Sequence, residues 1–566
     1  MAPAADDDDS PRSAAAAVAR TLRDRAVDAV FCLPGEETIA LLEAIGEEGI
    51  DLVVARHEQH AAFMAATHGR LTGRPGVLVT TLGPGMTNAL TGLAHATLGG
   101  YPLLHIAGQK PLRDNDEGSF QVLDLVALAA PVTKWAQRCT DPQEAATLVD
   151  TALRVAVTDR PGAVFVELPQ DVATGVSTLV PPPPTPSTGG GVGVPLRAPS
   201  AEVDRAAALL RAASRPAVVI GGGAQRSDVG AALASFAEAS LIPVIPLQTG
   251  IGALSADVAL PAIGMHRPDA AHLPLVDADL VLTVGYHPTE HPPLAWNRSD
   301  APIVHVAAWP APERRGLRHV AQLVGDVADT LTALAACDLG TRPDRRATLR
   351  DAIDAQLASE PLHGDGPGVA TRVIVDAVGE VLAADDVVAL DNGSYKLWFA
   401  RHLRVRRRNG LLLDNALATM GAGLATASEA ARQEPDVDVM AVVGDGGFMM
   451  NVGDVETAVR LGLDNLTVLV VRDDTFGFIA DHQRERDRSR VAVDLGNPDI
   501  VGVAEAFGAT GMRVGGPGDV VAVLRAAVDR RGVVIVDCPL DERADDLLRE
   551  IDSLAGARTR LAAAER

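Results

Sequence analysis

Val443-Gly444-Asp445-Gly446-Gly447-Phe448-Met449-Met450-Asn451, followed downstream by Arg472-Asp473-Asp474-Thr475-Phe476-Gly477, decides the fold. Ahead of it, Asp436 to Val443 is a short apolar run of the kind that forms a buried parallel strand. Behind it, Val452 to Leu463 carries helical periodicity, and Leu466 to Val471 predicts the next strand. Gly-Asp-Gly-Gly then falls on a strand-to-helix turn, where free backbone N–H groups and a helix N-terminus can hold a phosphate. Asp445 adds a hard oxygen ligand, and Asp473, at the end of the following strand, adds a second. Paired carboxylates on adjacent strand ends beside a phosphate cradle are expected to form a Mg²⁺–diphosphate site.

Outward from that stretch the same α/β alternation continues. Apolar strands are predicted at Ala29–Leu33, Leu52–Ala55, Gly76–Thr80, Leu103–Ala107 and Ala163–Glu167, and again at Pro216–Ile220, Leu280–Val284 and Pro302–Val306. The fold class is α/β, with three doubly wound parallel-sheet domains. The expected boundaries are a disordered leader (1–12), a first domain (13–178), a Pro/Gly-rich linker (179–199), a central domain (200–335), a connecting segment (336–368), a third domain (369–540) and a charged, Ala-rich tail (541–566). A net charge of −24 over 566 residues argues against nonspecific nucleic-acid binding. Cys32, Cys139, Cys337 and Cys538 have neither metal-ligand nor disulfide spacing, which fits reduced thiols in a cytoplasmic protein. No apolar run reaches membrane length, and the acidic start is not a signal peptide.

Val53-Val-Ala-Arg-His-Glu58 places Glu58 at a strand end, entering a helix rich in small residues. Alone, it reads as a carboxylate complementing the helix dipole; facing an apolar pocket, it could share a proton with a heterocycle nitrogen. Arg56-His-Glu58, Gly83-Pro-Gly85-Met-Thr-Asn88, Ala107-Gly-Gln109 and Ser119-Phe-Gln121 occur in an order and spacing that resemble the acetolactate synthase group of thiamine diphosphate enzymes. Asp391-Asn-Gly-Ser-Tyr395-Lys-Leu-Trp398 is similar to the family's diphosphate-contacting segment, and Asp414 to Gly423 to the segment that carries the aminopyrimidine. The resemblance covers nearly the whole chain after the leader. One departure is Asp473, where the family usually has Asn.

The resemblance implies the following roles. Glu58, Gln121, Gly35 and Met420 would form the catalytic centre, with Glu58 on the pyrimidine N1′ and Met420 under the bend between the rings. The cofactor would also meet Pro34, Asn88, Ser394, Tyr395, the Ala418 carbonyl, Gly444, Gly446, Gly447, Phe476, Gly477 and Phe478. Asp445, Asp473 and the Thr475 carbonyl would ligate Mg²⁺. Substrate would face Glu36, Phe120, Gln121, His287, Ile479 and His482, with Gln170 nearby replacing a Lys. The family's chemistry is decarboxylation of a 2-oxo acid such as pyruvate, whose enamine is then joined to an acceptor carbonyl, in homodimers or dimers of dimers with shared active sites. FAD occupies the central domain of biosynthetic members, but Gly285-Tyr-His-Pro-Thr-Glu-His-Pro-Pro293 replaces their Arg-rich stretch and counts against it here. Three other readings stay open: C–N bond formation as in carboxyethylarginine synthase, simple decarboxylation, and a catalytically silent cofactor-binding homologue.

Overall fold

The computed structural model describes residues 12–116, 118–178, 197–225, 229–264, 268–359, 368–541 and 553–564. Two compact units make up the chain, 1–192 and 193–566. The first holds β1 Ala29–Leu33, β2 Asp51–Val54, β3 Gly76–Thr80, β4 Leu103–Gln109, β5 Trp135–Arg138 and β6 Ala163–Pro169. They form one parallel sheet in the order 2-1-3-4-6-5. Its inner strands are continuous apolar runs because helices cover both faces. Arg12, counted with the leader on sequence, instead pairs through Arg12–Ser13 with Val176–Ser177 in an antiparallel ribbon. The rest of the leader, most of the linker and the start of the tail lie outside the described residues.

The second unit carries two sheets. The central one is built from β7 Pro216–Ile220, β8 Val244–Pro246, β9 Leu280–Val284, β10 Ile303–Ala307 and β11 His319–Val324, all parallel, in the order 8-7-9-10-11. The other contains β12 Val387–Leu390, β13 Leu411–Leu412, β14 Val439–Gly444, β15 Leu466–Arg472, β16 Thr510–Arg513 and β17 Val534–Pro539, ordered 13-12-14-15-17-16. Counted from its own first strand, this is again 2-1-3-4-6-5. The tail helix Ser553–Ala564 packs its Ala557 and Leu561 into the core of the central domain, beside Ile353 and Leu357 of the helix Arg346–Ala358.

In every one of the three sheets the winding reverses between the first and third strands. That reversal opens a crevice at their carboxyl ends, which is where such sheets bind ligands. In the third domain the crevice lies between the segment after β12, starting at Asp391, and the segment after β14, starting at Asp445. The helix after β14 differs from the expected one. It starts at Asp445 and lasts only to Met450, and a single 3₁₀ turn (Val452–Asp454) precedes the helix Val455–Arg460. Asn451 is the break: its side-chain amide donates to the Gly421 carbonyl at 2.6 Å, anchoring it to a neighbouring segment at non-helical φ/ψ.

Candidate active site

At the crevice of the third domain lies a cavity of about 460 Å³. Ser394, Tyr395, Ala418, Met420, Gly444 to Gly447, Asp473, Thr475 and Phe476 to Ile479 all line it. Glycines form part of its lining, and at Gly447 nothing larger fits. A Cβ on Gly447 would land on Asp391 Oδ2, and one on Gly446 would stand 3.0 Å from the Phe476 ring and 3.2 Å from Met420 Cε. Tyr395 closes the back, its hydroxyl accepting from Gly444 N at 2.9 Å, and burial beside carboxylates keeps that phenol protonated far into alkali.

Two loops meet at this cavity. Asp414 organises one of them: its carboxylate accepts from the N–H groups of Ala416 (3.0 Å), Leu417 (3.3 Å) and Ala418 (2.8 Å). Ala418 is thereby held at φ +54°, a left-handed conformation unfavourable for alanine and sustained by these bonds. Beneath it the buried Lys396 ammonium donates to Asn392 Oδ1 (2.5 Å) and the Asp414 carbonyl (3.0 Å), while Asn392 donates to the Thr419 carbonyl (2.6 Å). Burial lowers the Lys396 pKa, against the pull of Asp414 and Asp391. The second loop carries Asp473 to Phe478. Thr475 N donates to Asp473 Oδ1 (3.2 Å) and Thr475 Oγ1 to the Val493 carbonyl (2.9 Å), so the hydroxyl is committed away from the cavity.

Asp445 is 2% exposed and accepts from Gly446 N (2.9 Å), Asp474 N (2.9 Å) and Asn497 Nδ2 (2.5 Å). Burial pushes its carboxyl pKa up, and those three donors pull against it. Among the described residues no group of three or more His, Cys, Asp or Glu side chains could hold a metal ion. A Mg²⁺ diphosphate fits this donor set all the same. Two carboxylates and one main-chain carbonyl leave the other positions for diphosphate oxygens and water, which is how Mg²⁺ is commonly held beside phosphates.

In the first unit, Glu58 opens the helix Glu58–Thr72 and is 5% exposed. Asn88 Nδ2 donates to its Oε2 at 2.9 Å. Gly35 sits extended against Thr81, with no room for a side chain. Glu36 points outward with its side chain 75% exposed. Its neighbour Glu37 is the buried carboxylate, accepting from Thr81 Oγ1 (2.6 Å) and Lys110 Nζ (2.7 Å). Burial raises the Glu37 pKa, but the bonds from Lys110 and Thr81 outweigh it and hold the group below its usual range. Phe120 is 75% exposed, and Gln121, at φ +61°, lies against the Gly83 turn through its carbonyl.

Within the second unit, His287 and His482 are not among the residues that line the cavity. His482 is on the solvent side of the helix Gly477–Glu485, paired with Glu485 at 3.1 Å and edge-on to Phe478. His287 is in the loop after β9, where Nδ1 meets Thr289 Oγ1 at 2.7 Å. Gln170 heads the short helix Gln170–Thr174. Four residues had no role assigned on sequence: Glu37, Asp391, Lys396 and Asn497. Asp391 accepts from Gly421 N at 2.9 Å, and burial lifts its pKa to about 6. Asp391 and Lys396 stood inside a segment already singled out. Asn497 lies in a polar loop with no motif to mark it.

A switch-point cavity lined by glycines and acidic oxygens fits a protein that binds a diphosphate group. Three family models match this chain: the N-terminal TPP-binding domain of thiamine pyrophosphate enzymes over residues 12–128, their central domain over 203–334 and their C-terminal TPP-binding domain over 391–538. Along 531 residues it is 33% identical to an acetolactate synthase of Bacillus subtilis, covering 92% of each chain. It is also 33% identical to a catabolic acetolactate synthase of Raoultella terrigena, over 93% of this chain and 95% of that one. The large subunit of Escherichia coli acetolactate synthase isozyme 2 is 31% identical, over 93% and 95%. The chain belongs to the thiamine diphosphate-dependent enzymes, within the acetolactate synthase large-subunit group.

Proposed function

We propose that this protein is a carboligase that releases CO₂ from a 2-oxo acid, pyruvate first among them, and joins the remaining acyl unit to an acceptor carbonyl. The observation that carries this reading is the glycine-lined cavity with Asp445, Asp473, Ala418 and Met420 around one crevice. When bound, thiamine diphosphate supplies the electron sink that decarboxylation needs. The chain's own residues do the rest. Asp445, Asp473 and the Thr475 carbonyl hold Mg²⁺, Gly446 and Gly447 let the diphosphate approach the backbone, and Ala418 and Met420 fix the ring geometry. Glu58, oriented by Asn88, holds the proton at the pyrimidine N1′.

The acceptor is proposed to be an aldehyde or another carbonyl compound bound without a carboxylate clamp. On the family resemblance Gln170 replaces a Lys and His287 falls near the position of an Arg that holds the acceptor's carboxylate, and losing such charge-assisted hydrogen bonds removes about 1.5–3 kcal/mol each. From the family resemblance we take the enzyme to be a homodimer or dimer of dimers, in which Glu58 and Asp445, residues of different compact units, serve each cofactor from two chains. Among the described residues no helix is long and apolar enough to cross a membrane, and four free cysteines suit the cytoplasm.

The test is product analysis with thiamine diphosphate and Mg²⁺, giving pyruvate alone and then pyruvate with a panel of aldehydes and 2-oxo acids. CO₂ release with a new C–C product is expected, and no CO₂ from any 2-oxo acid would sink the proposal. Efficient acetolactate formation unmatched by any other acceptor would overturn the acceptor assignment alone. Glu58→Gln should bind cofactor yet lose about 10²–10⁴-fold in turnover, the scale of a general acid–base element.

A further inference from the structure

The central domain has a ligand crevice of its own, between β7 and β9, and the chain fills it. Gly221-Gly222-Gly223 follows β7, the position from which such a sheet offers backbone N–H groups to a nucleotide phosphate. Here Gly222 N donates at 2.7 Å to Oε2 of Glu290, which arrives from the loop after β9. Thr249 Oγ1 donates to the same oxygen at 2.5 Å, and His287 N donates to Oε1 at 3.1 Å. Three donors from three segments thus converge on one carboxylate that is 4% exposed.

The surroundings are closed as tightly. A Cβ on Gly221 would stand 2.7 Å from Tyr286 Cα and 2.8 Å from Glu290 Oε2, and one on Gly223 would stand 2.5 Å from the Trp309 ring. Tyr286 is itself fixed, donating to the His291 carbonyl at 2.8 Å. A dinucleotide would have to expel a carboxylate already satisfied by the donors its phosphate needs, so FAD does not fit these residues.

The same residue reaches the cofactor cavity. The main-chain carbonyl of Glu290 accepts from Asn415 Nδ2 at 2.7 Å, and Asn415, within the Asp414–Met420 loop, lines the cavity. We propose that Glu290 is the central domain's resident anion. Its carboxylate takes the place of a nucleotide phosphate, and its carbonyl ties that filled crevice to the loop that presents Ala418 and Met420. Glu290 is thus a positioning residue for thiamine diphosphate, an assignment that rests on the cofactor site proposed above but not on the reaction.

Binding measurements test it without turnover. Wild type titrated with excess FAD should bind none, and purified enzyme should carry no flavin absorbance; stoichiometric flavin in either would overturn the proposal. Glu290→Ala should raise the Kd for thiamine diphosphate with Mg²⁺ about tenfold. It should also gain binding of inorganic phosphate by calorimetry, and added phosphate should restore part of the lost affinity. Glu290→Gln, which keeps one acceptor oxygen, should recover most of it. An unchanged Kd in Glu290→Ala, or a loss that phosphate does not touch, would overturn the assignment. If Glu290→Ala fails to fold, the FAD titration of wild type still decides. Absence of carboligase activity would leave all of these binding outcomes intact.

Discussion

Glu37 and Glu36 are consecutive carboxylates with opposite surroundings, and the difference has a pH signature. Hydrogen bonds from Lys110 and Thr81 hold the Glu37 pKa below its ordinary value of 4.5. A depressed folded-state pKa stabilises the protein above the unfolded value, and that contribution disappears as pH falls through the folded one. Glu37→Gln should therefore be less stable than wild type at neutral pH, and the two melting curves should converge as the pH falls from 4.5 through the lower folded-state pKa. Glu36→Gln should cost little stability, because its side chain is 75% exposed. Among the proposed cation ligands, Asp445→Ala should abolish Mg²⁺-dependent cofactor binding, whereas Asp473→Asn keeps an oxygen ligand and should bind nearly as well. Titration of cofactor against Mg²⁺ distinguishes them, and the reverse ranking would exchange their roles. The Gly-Asp-Gly-Gly stretch was legible in sequence because its chemistry is local. Glu37 was not, since one position along an irregular turn decides which of two equal carboxylates is buried.

At the scale of elements, the loop Asp414–Met420 is held from below by a buried cation. Removing the Lys396 ammonium leaves the Asp414 carbonyl and Asn392 Oδ1 without their donor, a loss of about 1–3 kcal/mol. The loop bears most of that loss, so Lys396→Met should retain a cooperative melt while its Kd for thiamine diphosphate rises about tenfold. Equilibrium titration followed by differential scanning calorimetry measures both, and an unchanged Kd would remove the role assigned to Lys396. Inner strands such as β1, β3 and β9 are readable from sequence as unbroken apolar runs, because both faces are covered. The edge strand β5, Trp-Ala-Gln-Arg, has one face and one rim open, so its composition matches a loop. Lys396 was equally hidden: a lone lysine in a helix reads as solvated until the fold places the Asp414 carbonyl above it.

Across the whole molecule, Glu58 and Asp445 offer a test of subunit sharing. If each cofactor takes Glu58 from one chain and Asp445 from the other, a mixed dimer of Glu58→Gln and Asp445→Ala contains one doubly altered site and one intact site. Refolding the two inactive variants together should then recover activity, while either refolded alone stays inactive. Recovery failing despite mixed dimers seen by native mass spectrometry would place both residues in a single chain's site. The three-domain plan was legible because each domain repeats an α/β rhythm. The grouping of the last two domains into one unit was not, since it depends on contacts between residues far apart in sequence.

The tail helix Ser553–Ala564 gives the order of synthesis a physical meaning. The strands of the central sheet are all translated by Val324, yet one layer of their core includes Ala557 and Leu561. On the ribosome that layer faces water until the helix emerges more than two hundred residues later, on the order of tens of seconds at cellular elongation rates. The nascent central domain therefore presents an open apolar face throughout translation of its successor. A chaperone that binds such faces has its longest opportunity there, and docking of the tail helix is the event that seals it.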